Sequence, residues 1–307
     1  MFRNHEEFGQ VMPRTAPSAL WPTLALLAAS AIWASSFVVM KATLAVFDPL
    51  FILAVRMAVA ALCLTPFLKL LRHVRYQAGD WKLLAFIVVC EPGFYFLFEA
   101  NALRYTSASQ AGMVVAMLPL MVGAAARLTL KEPLTRTAAL GLSLAVVGVV
   151  WLSAAGVATE RAPHPMLGNF LEFLAMVCAT GYMVAARRVM ERYSPHFITA
   201  LQAVAGCLFY LPALALPGTP LPAAYPLWPC LGVLYLGSAV TLLAYGCYNY
   251  GNSQLPAARA SAFTNLIPVF TLVMGVAFLG ETLTPSQLVA SALVIAGVFL
   301  PALRPRA

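Results

Sequence analysis

MLPLMVGAAARLTLKEPLT, residues 117–135, is matched later in the chain by LIPVFTLVMGVAFLGETLT, residues 266–284. Three pairs of matching residues in and after the two stretches are each 149 residues apart (268 − 119, 281 − 132 and 297 − 148). The pairs are Pro119 and Pro268, Glu132 and Glu281, and Gly148 and Gly297. The chain therefore holds two copies of one apolar unit. A membrane protein built from two such copies is most often a secondary transporter.

The repeat extends towards the start of each copy. Asp48-Pro49 resembles Ser194-Pro195, and Pro66 matches Pro212, at a separation of 146 (194 − 48 and 212 − 66). Later in each copy, Thr135 and Thr284 are predicted to cap the helices that follow them, and Pro285 fits a first helical position. Glu132 and Glu281 precede those helix starts, where a carboxylate is favoured by the helix dipole, so we interpret this pair as structural.

Composition indicates a chain made of bilayer spans. Hydrophobic residues make up 62% of it and charged residues 10%, and the mean hydropathy is +0.84. Soluble domains carry about 25% charged residues. Long apolar runs predict ten membrane-spanning helices: about 20–40, 49–70, 82–103, 106–128, 135–155, 166–187, 197–216, 227–250, 257–279 and 285–302.

These spans divide the chain into segments. We predict a first five-helix repeat over 20–155, a linker over 156–165 and a second repeat over 166–302. Short tails over 1–19 and 303–307 complete the chain. The fold class expected is an all-α integral membrane protein.

The positive charges predict the orientation of the spans. With the N-terminus in the cytoplasm, fifteen of the nineteen Lys and Arg residues fall on the cytoplasmic side. Only Lys41, Arg104 and Arg161 fall outside, and Arg56 lies within a span. This asymmetry is the positive-inside pattern, and it accounts for the net charge of +8 without a nucleic-acid partner. Both termini are then cytoplasmic, and because each repeat has five spans, the two repeats are inverted.

The paired landmarks resemble the EamA branch of the drug/metabolite transporter superfamily. The shared features are a proline in the fourth and ninth spans, Glu-x-Leu-Thr before the next span, and the segment 102–111 entering span four. The resemblance covers residues 20 to 302. It implies ten helices in two inverted repeats in the cell inner membrane, with a central cavity lined by spans one to four and six to nine. It further implies export of small metabolites, and a homodimer through spans five and ten.

Span three carries the strongest candidate for a binding site. Glu91, Tyr95 and Glu99 follow at intervals of four residues, so they share one helix face. Pro92-Gly93 predicts a kink that frees backbone carbonyls at mid-depth. Charged groups inside a bilayer are costly and are usually functional. Glu91 or Glu99 is expected to bind a cationic group or take up a proton, or else to pair with Arg56 and only orient helices.

Two further buried charges lie at similar depth in spans two and six. Arg56 is predicted to pair with Glu99 or Glu172, either as a gate or as a fixed strut. The second repeat has Gln202 at the position of Arg56, since 202 − 56 equals 146, so this feature is asymmetric. Having both signs of charge inside the bilayer suits a zwitterion such as an amino acid.

Neutral polar and aromatic residues complete the candidate site. Tyr245 and Asn249 share a face of span eight, and Asn265 lies three residues before Pro268. Three others lie within or at the start of spans one, four and six: Trp33, Gln110 and Tyr182. A mid-span tryptophan such as Trp33 more often packs against other helices than contacts a ligand.

Other function classes fit the sequence less well. All four histidines lie in tails or loops, and the HExxH, GxSxG and GxxxxGK[ST] motifs are absent, so we expect no enzyme and no catalytic residue. The six cysteines fall within spans and form no CxxC pair, so we expect neither a metal nor a cofactor. A facilitative channel-like carrier and a drug or amine efflux protein remain the alternatives. The partners expected are a small-molecule substrate, the lipid bilayer and protons.

Overall fold

The computed structural model describes residues 20–66, 76–77, 79–130, 135–190, 192–215, 219–255 and 263–300. These residues fold into helices and contain no β-strand. Numbered in chain order, the α-helices are α1 (Leu20–Leu44), α2 (Pro49–Leu64), α3 (Trp81–Val88), α4 (Tyr95–Tyr105), α5 (Ala108–Val115), α6 (Leu118–Leu130), α7 (Arg136–Ala154), α8 (Pro165–Val189), α9 (Pro195–Tyr210), α10 (Leu227–Tyr235), α11 (Ala244–Gln254), α12 (Ile267–Leu279) and α13 (Pro285–Phe299).

Some of these helices are joined end to end into one longer apolar helical segment. A π-helical segment, Val89–Phe94, joins α3 to α4, and a second one, Leu236–Leu243, joins α10 to α11. Among the described residues, seven helical segments are long and apolar enough to cross a membrane: Leu20–Leu44, Trp81–Tyr105, Ala108–Thr129, Arg136–Ala154, Pro165–Ala186, His196–Ala215 and Leu227–Tyr248. Three apolar helices are shorter: Pro49–Leu64, Phe263–Leu279 and Pro285–Phe299. The predicted remainders of those three spans fall largely outside the described residues.

Helix starts bear the capping residues that the repeat predicts. The Thr135 hydroxyl accepts a hydrogen bond from the Ala138 amide. Thr284 forms a full capping box with Gln287, and Pro285 occupies the first helical position, as predicted. The equivalent residues Asp48 and Ser194 cap α2 and α9 in the same way, each followed by a proline. Local start signals are thus repeated in both copies.

The repeated glycines allow α7 and α13 to pack backbone to backbone. A Cβ atom at Gly148 would lie 2.9 Å from the Val294 nitrogen, and one at Gly297 would lie 2.6 Å from the Gly141 carbonyl oxygen. Only a residue without a side chain permits this approach. The last helices of the two sequence copies therefore bury their glycine faces against each other within one chain.

Glu281 caps a helix from the other copy. Its Oε1 accepts a hydrogen bond from the Ala108 amide at 2.7 Å, and its Oε2 accepts one from Ser109 at 2.9 Å. The dipole interaction expected for Glu281 is therefore made with the N-terminus of α5, not with the helix that follows Glu281 in sequence. Its counterpart Glu132 lies outside the described residues. The landmark proline Pro119 lies in the first turn of α6, and Pro268 in the first turn of α12.

Two basic side chains bind helix C-termini at the same end of the bundle. The Lys41 Nζ donates to the carbonyl oxygens of Leu103 and Thr106, at 2.5 and 2.7 Å, and also to that of Arg161. The Arg161 guanidinium donates to the Leu279 carbonyl at 3.0 Å. The bonds to Leu103, Thr106 and Leu279 satisfy carbonyl groups at helix C-termini, which have no partner within their own helix. Together with Glu281, they tie both copies together at this end.

Replacing Glu281 by glutamine is expected to lower the free energy of unfolding by about 1.5–3 kcal/mol, the usual contribution of hydrogen bonds to a charged group. Glutamine keeps one acceptor oxygen but places an N–H₂ group against amide donors. The measurement is the thermal unfolding of detergent-purified protein. Glu160→Gln makes the same chemical change at an exposed position and serves as the control. Equal stability of the two variants would show that the cap contributes nothing.

At the other end of the bundle, an ion pair joins the start of α3 to the residues after α8. The Arg192 Nη2 lies 2.8 Å from the Asp80 Oδ1, and the Tyr193 hydroxyl donates to the Asp80 Oδ2 at 2.7 Å. The Tyr193 hydrogen bond, with the positive charge of Arg192, holds the pKa of Asp80 below its usual value. A lowered folded-state pKa means that this contribution to stability is present at neutral pH and is lost as the pH falls through that pKa.

Candidate functional site

The helical segment of residues 81–105 is interrupted at Glu91. Its backbone is extended, with φ −146° and ψ 118°, inside the π-helical segment Val89–Phe94. Pro92 supplies no amide proton and its ring clashes with the preceding turn, which explains why the break occurs here. The predicted kink is confirmed.

The break frees backbone carbonyls, and α9 supplies their hydrogen-bond donors. The Gln202 Nε2 donates to the Glu91 carbonyl at 3.1 Å. The Tyr210 hydroxyl donates to the Pro92 carbonyl at 3.0 Å and contacts that of Gly93. The prediction of freed carbonyls at the kink is therefore also confirmed. Because α9 belongs to the second copy, the break in the first copy is held by the second.

The Glu91 side chain points to α11 and is almost fully buried, with 6% of its surface exposed. Its Oε1 accepts a hydrogen bond from the Tyr245 hydroxyl at 2.7 Å. The Tyr245 ring meets Trp33 edge-on at a centroid distance of 5.2 Å, and Trp33 also packs on Tyr248 at 5.3 Å. Glu91 is thus a carboxyl group at the edge of an aromatic cluster that joins α1 to α11.

A small internal cavity opens beside this carboxyl group. Its volume is about 20 Å³, which is enough for one water molecule. Its lining combines polar and apolar groups: Glu91, Gln202, Tyr245, Thr199, Thr241, Met57, Pro92, Phe96 and Ala203. The Tyr182 hydroxyl faces Gln202 and the charge of Glu91. Hydrogen-bonding side chains beside a helix break are the kind of feature at which transporters bind substrates.

A second cluster surrounds Arg56, of which only 3% is exposed. The Arg56 Nη1 lies 3.9 Å from the Glu99 Oε2, its Nε donates to the Thr241 hydroxyl at 3.2 Å, and its Cζ lies 4.0 Å above the Phe96 ring centre. The other oxygen of Glu99, Oε1, accepts from the Tyr95 hydroxyl at 2.8 Å. Of the two predicted partners of Arg56, the structure shows Glu99.

Glu172 interacts with Glu99 of this cluster, and the described residues offer its carboxyl group no hydrogen bond. Its surface is fully buried, and neither carboxyl oxygen has a hydrogen-bond partner among the described residues. Its charge interacts with that of Glu99 and with Tyr95. Glu91, Glu99 and Glu172 therefore form two adjacent groups, one at the cavity and one around Arg56.

The two copies contribute to the site in a symmetric way. Gln202 occupies the repeat position of Arg56, and Thr241 occupies that of Pro92, since 241 − 92 equals 149. Gln202 binds the π-helical segment of the first copy, while Arg56 binds Thr241 in that of the second. Such segments in helices frequently mark functional sites. Neither Gln202 nor Thr241 is predicted as a site residue from the sequence, and their equivalence to Arg56 and Pro92 within the repeat is the signal that could have found them.

The remaining predicted residues lie elsewhere or are not described. The Gln110 Oε1 accepts from the Asn169 Nδ2 at 2.9 Å, and Asn169 also bonds Thr106 and Ser153, so Gln110 belongs to a separate buried network. Asn265 lies in a short 3₁₀ turn, and its Oδ1 has no hydrogen-bond partner among the described residues. The side chain of Asn249 lies outside the described part of the structure.

The chain is similar over most of its length to known transporters. A model of the EamA-like transporter family matches residues 20–154 and again 166–302. The chain is 25% identical over 207 residues to the "Uncharacterized transporter YetK" of Bacillus subtilis, covering 66% of this chain and 62% of that protein. It is 26% identical to the "Probable amino-acid metabolite efflux pump" of Salmonella typhimurium, covering 88% and 90%. One crystal structure shares the fold with a TM-score of 0.64 at 20% identity, covering 92% and 96%.

Proposed function

This chain belongs to the EamA-like transporter family and is a multi-pass membrane protein, and from that premise we propose that ten helices form two inverted repeats, over 20–155 and 166–302. The double match of the family supports the two repeats. The equivalent caps at Asp48 and Ser194 and the reciprocal contacts of Arg56 and Gln202 support them as well. The linker 156–165 then lies between two units of opposite orientation.

The distribution of basic residues supports an orientation for these helices. Fifteen Lys and Arg residues on one side against three on the other support a cytoplasmic location for both termini. The membrane proposed is the cell inner membrane. The end of the bundle tied by Lys41, Arg161 and Glu281 then faces outward, and the Asp80–Arg192 pair faces the cytoplasm.

The function proposed is secondary transport: export by alternating access of small metabolites that carry an amino group, amino acids first. The observation that carries it is the buried Glu91 carboxyl group, held at a helix break and facing a cavity beside Trp33 and Tyr245. A carboxylate binds an ammonium group through a charge-assisted hydrogen bond. Aromatic faces nearby attract the same cation. The name of the Salmonella relative supports amino acids as the first class to test.

Arg56 is less suited to bind the substrate. It does not line the cavity, and its guanidinium lies over Phe96, behind Thr241 and against Glu99. A substrate carboxylate would instead meet Gln202, a neutral donor at the cavity wall. We therefore propose that the site recognises the amino group of the substrate, and that Arg56 belongs to the neighbouring cluster with Glu99.

The experiment is a transport screen in proteoliposomes. Purified protein is reconstituted, and uptake of tritiated amino acids and of simple amines is measured with and without a pH gradient. Saturable uptake of at least one amino acid or amine above empty liposomes is the expected result. Absence of saturable uptake for every amino acid and amine tested would contradict the proposal. Empty liposomes and liposomes with heat-denatured protein serve as controls.

A further inference from the structure

The cluster around Arg56 has an unbalanced charge. It joins the Arg56 guanidinium group to Glu99, and Glu172 interacts with Glu99 from α8, which packs on α4. Two carboxyl groups therefore share one positive charge. Arg56 lies against Glu99, and neither oxygen of Glu172 has a hydrogen-bond partner among the described residues, although the side chain is fully buried. An isolated carboxylate in an apolar interior carries a very large free-energy cost. One positive charge is therefore missing from this cluster.

Among the described residues, no basic side chain pairs with the Glu172 carboxyl group. The ionisable groups that interact with it are Tyr95 and Glu99 on α4. The same helix ends in the exposed Arg104 and in Tyr105, and the adjoining π-helical segment carries Cys90 and Glu91. Helix α5 has no ionisable residue, and those of α3, α6 and α7 lie near the cytoplasmic end: Lys82, Arg127 and Arg136. Arg188, which contacts Thr129 at that end, is sixteen residues further along α8, or about 24 Å at the helical rise.

We propose that the Arg56–Glu99–Glu172 cluster stores one proton, shared between the two carboxyl groups, and that this proton is exchanged for the substrate bound at Glu91. A proton neutralises the cluster and needs only one carboxyl oxygen. The storage site is inferred from the cluster alone, whereas its role in exchange rests on the proposed function.

The two groups are close enough to be coupled through their charges. The charges of Glu91 and Glu99 interact, and Tyr95, which donates to Glu99, also interacts with Glu91. An ammonium group arriving at Glu91 adds a positive charge near the cluster, which favours loss of the stored proton. The O–H bond of the carboxylic acid then breaks, its electron pair stays on oxygen, and the proton leaves to water. One positive charge enters as another leaves, which is exchange in opposite directions.

Infrared difference spectroscopy tests the storage site without any substrate. The protonated carboxylic acid has a C=O stretching band that shifts in D₂O. Variant minus wild-type spectra at neutral pH are expected to show loss of one such band in Glu172→Gln and also in Glu99→Gln, because the remaining carboxylate then pairs with Arg56. Arg56→Gln introduces glutamine, the residue that stands at the equivalent position 202 of the second copy. This variant is expected to gain one band, because the second carboxyl group loses its positive partner. Glu160→Gln is the control for an exposed carboxyl group and should match wild type.

Retention of the full band in Glu172→Gln or in Glu99→Gln would overturn the proposal. A C=O band that appears only after sodium is removed would also overturn it, because a sodium ion and not a proton would then balance the charge of the cluster. If Glu172→Gln does not purify as a single species, the opposite changes expected in Glu99→Gln and Arg56→Gln still decide the matter. In liposomes that transport the amine found by the screen, Glu99→Gln should accumulate no more with a pH gradient than without one. If wild type transports the amine and a pH gradient raises accumulation in Glu99→Gln as much as in wild type, the exchange role is rejected. The proposed function then remains intact.

Discussion

Glu91→Gln is expected to abolish most amine transport in proteoliposomes. The amide is nearly isosteric and keeps an acceptor for the Tyr245 hydroxyl, so the pocket is preserved. It lacks the negative charge that pairs with an ammonium group. Losing a charge-assisted hydrogen bond of about 1.5–3 kcal/mol weakens binding by roughly 10- to 150-fold. The measurement is the initial rate of tritiated substrate uptake across a range of concentrations.

A matched control separates this effect from damage to the fold. Glu160→Gln makes the same substitution in an exposed loop and should transport like wild type. Both variants should elute as a single species from size-exclusion chromatography. Wild-type affinity and rate in Glu91→Gln would contradict the assignment of Glu91 and reduce it to a residue that orients α11.

Gly297→Ala is expected to destabilise the protein by about 1–3 kcal/mol, the usual cost of adding a methylene group to a filled contact. The new Cβ atom would lie 2.6 Å from the Gly141 carbonyl oxygen and 2.8 Å from the Ala145 nitrogen. Both are backbone atoms and cannot rotate away. The helix propensity gained from alanine offsets at most about 1 kcal/mol of this. Thermal unfolding in detergent measures the change.

The control for this variant is Gly246→Ala. Gly246 also lies in a helix, but a Cβ atom there meets nothing within 4 Å. This variant should be as stable as wild type or gain up to about 1 kcal/mol from helix propensity. If both alanine variants unfold at the same temperature, the close packing of α7 on α13 is wrong.

Local signals in the sequence were sufficient for helix starts and for the break at Glu91. Thr284 followed by Pro285 contains the whole capping arrangement within four residues. Pro92-Gly93 contains the chemical reason for the kink. Such features depend on neighbouring residues only, which is why the sequence was enough to find them.

Contacts between helices were harder to foresee. Glu281 precedes α13 in sequence, yet it caps α5, which begins at residue 108. Gln110 looked like a site residue at the entrance to span four, but Asn169 on α8 occupies its amide oxygen. These partners are set by the rotation and register of packed helices, which apolar periodicity does not specify when every face of a helix is apolar.

The repeat carries a signal for the site that the charge of single residues does not. Arg56 stands out in the sequence because it is charged inside a span, whereas its counterpart Gln202 is neutral. In the structure each binds the π-helical segment of the opposite copy. Superposing the two copies at separations of 146 and 149 also pairs Pro92 with Thr241, and so points to both halves of the site.

Counterflow in proteoliposomes tests the central claim, that this protein is a carrier that binds amines at Glu91, most directly. Vesicles loaded with the unlabelled substrate found by the screen are diluted into a trace of the tritiated compound. A carrier that alternates between two sides accumulates label transiently above equilibrium, and we predict this overshoot for wild type and Glu160→Gln but not for Glu91→Gln. Label that only equilibrates in wild type, with no overshoot, would indicate a channel and contradict the account.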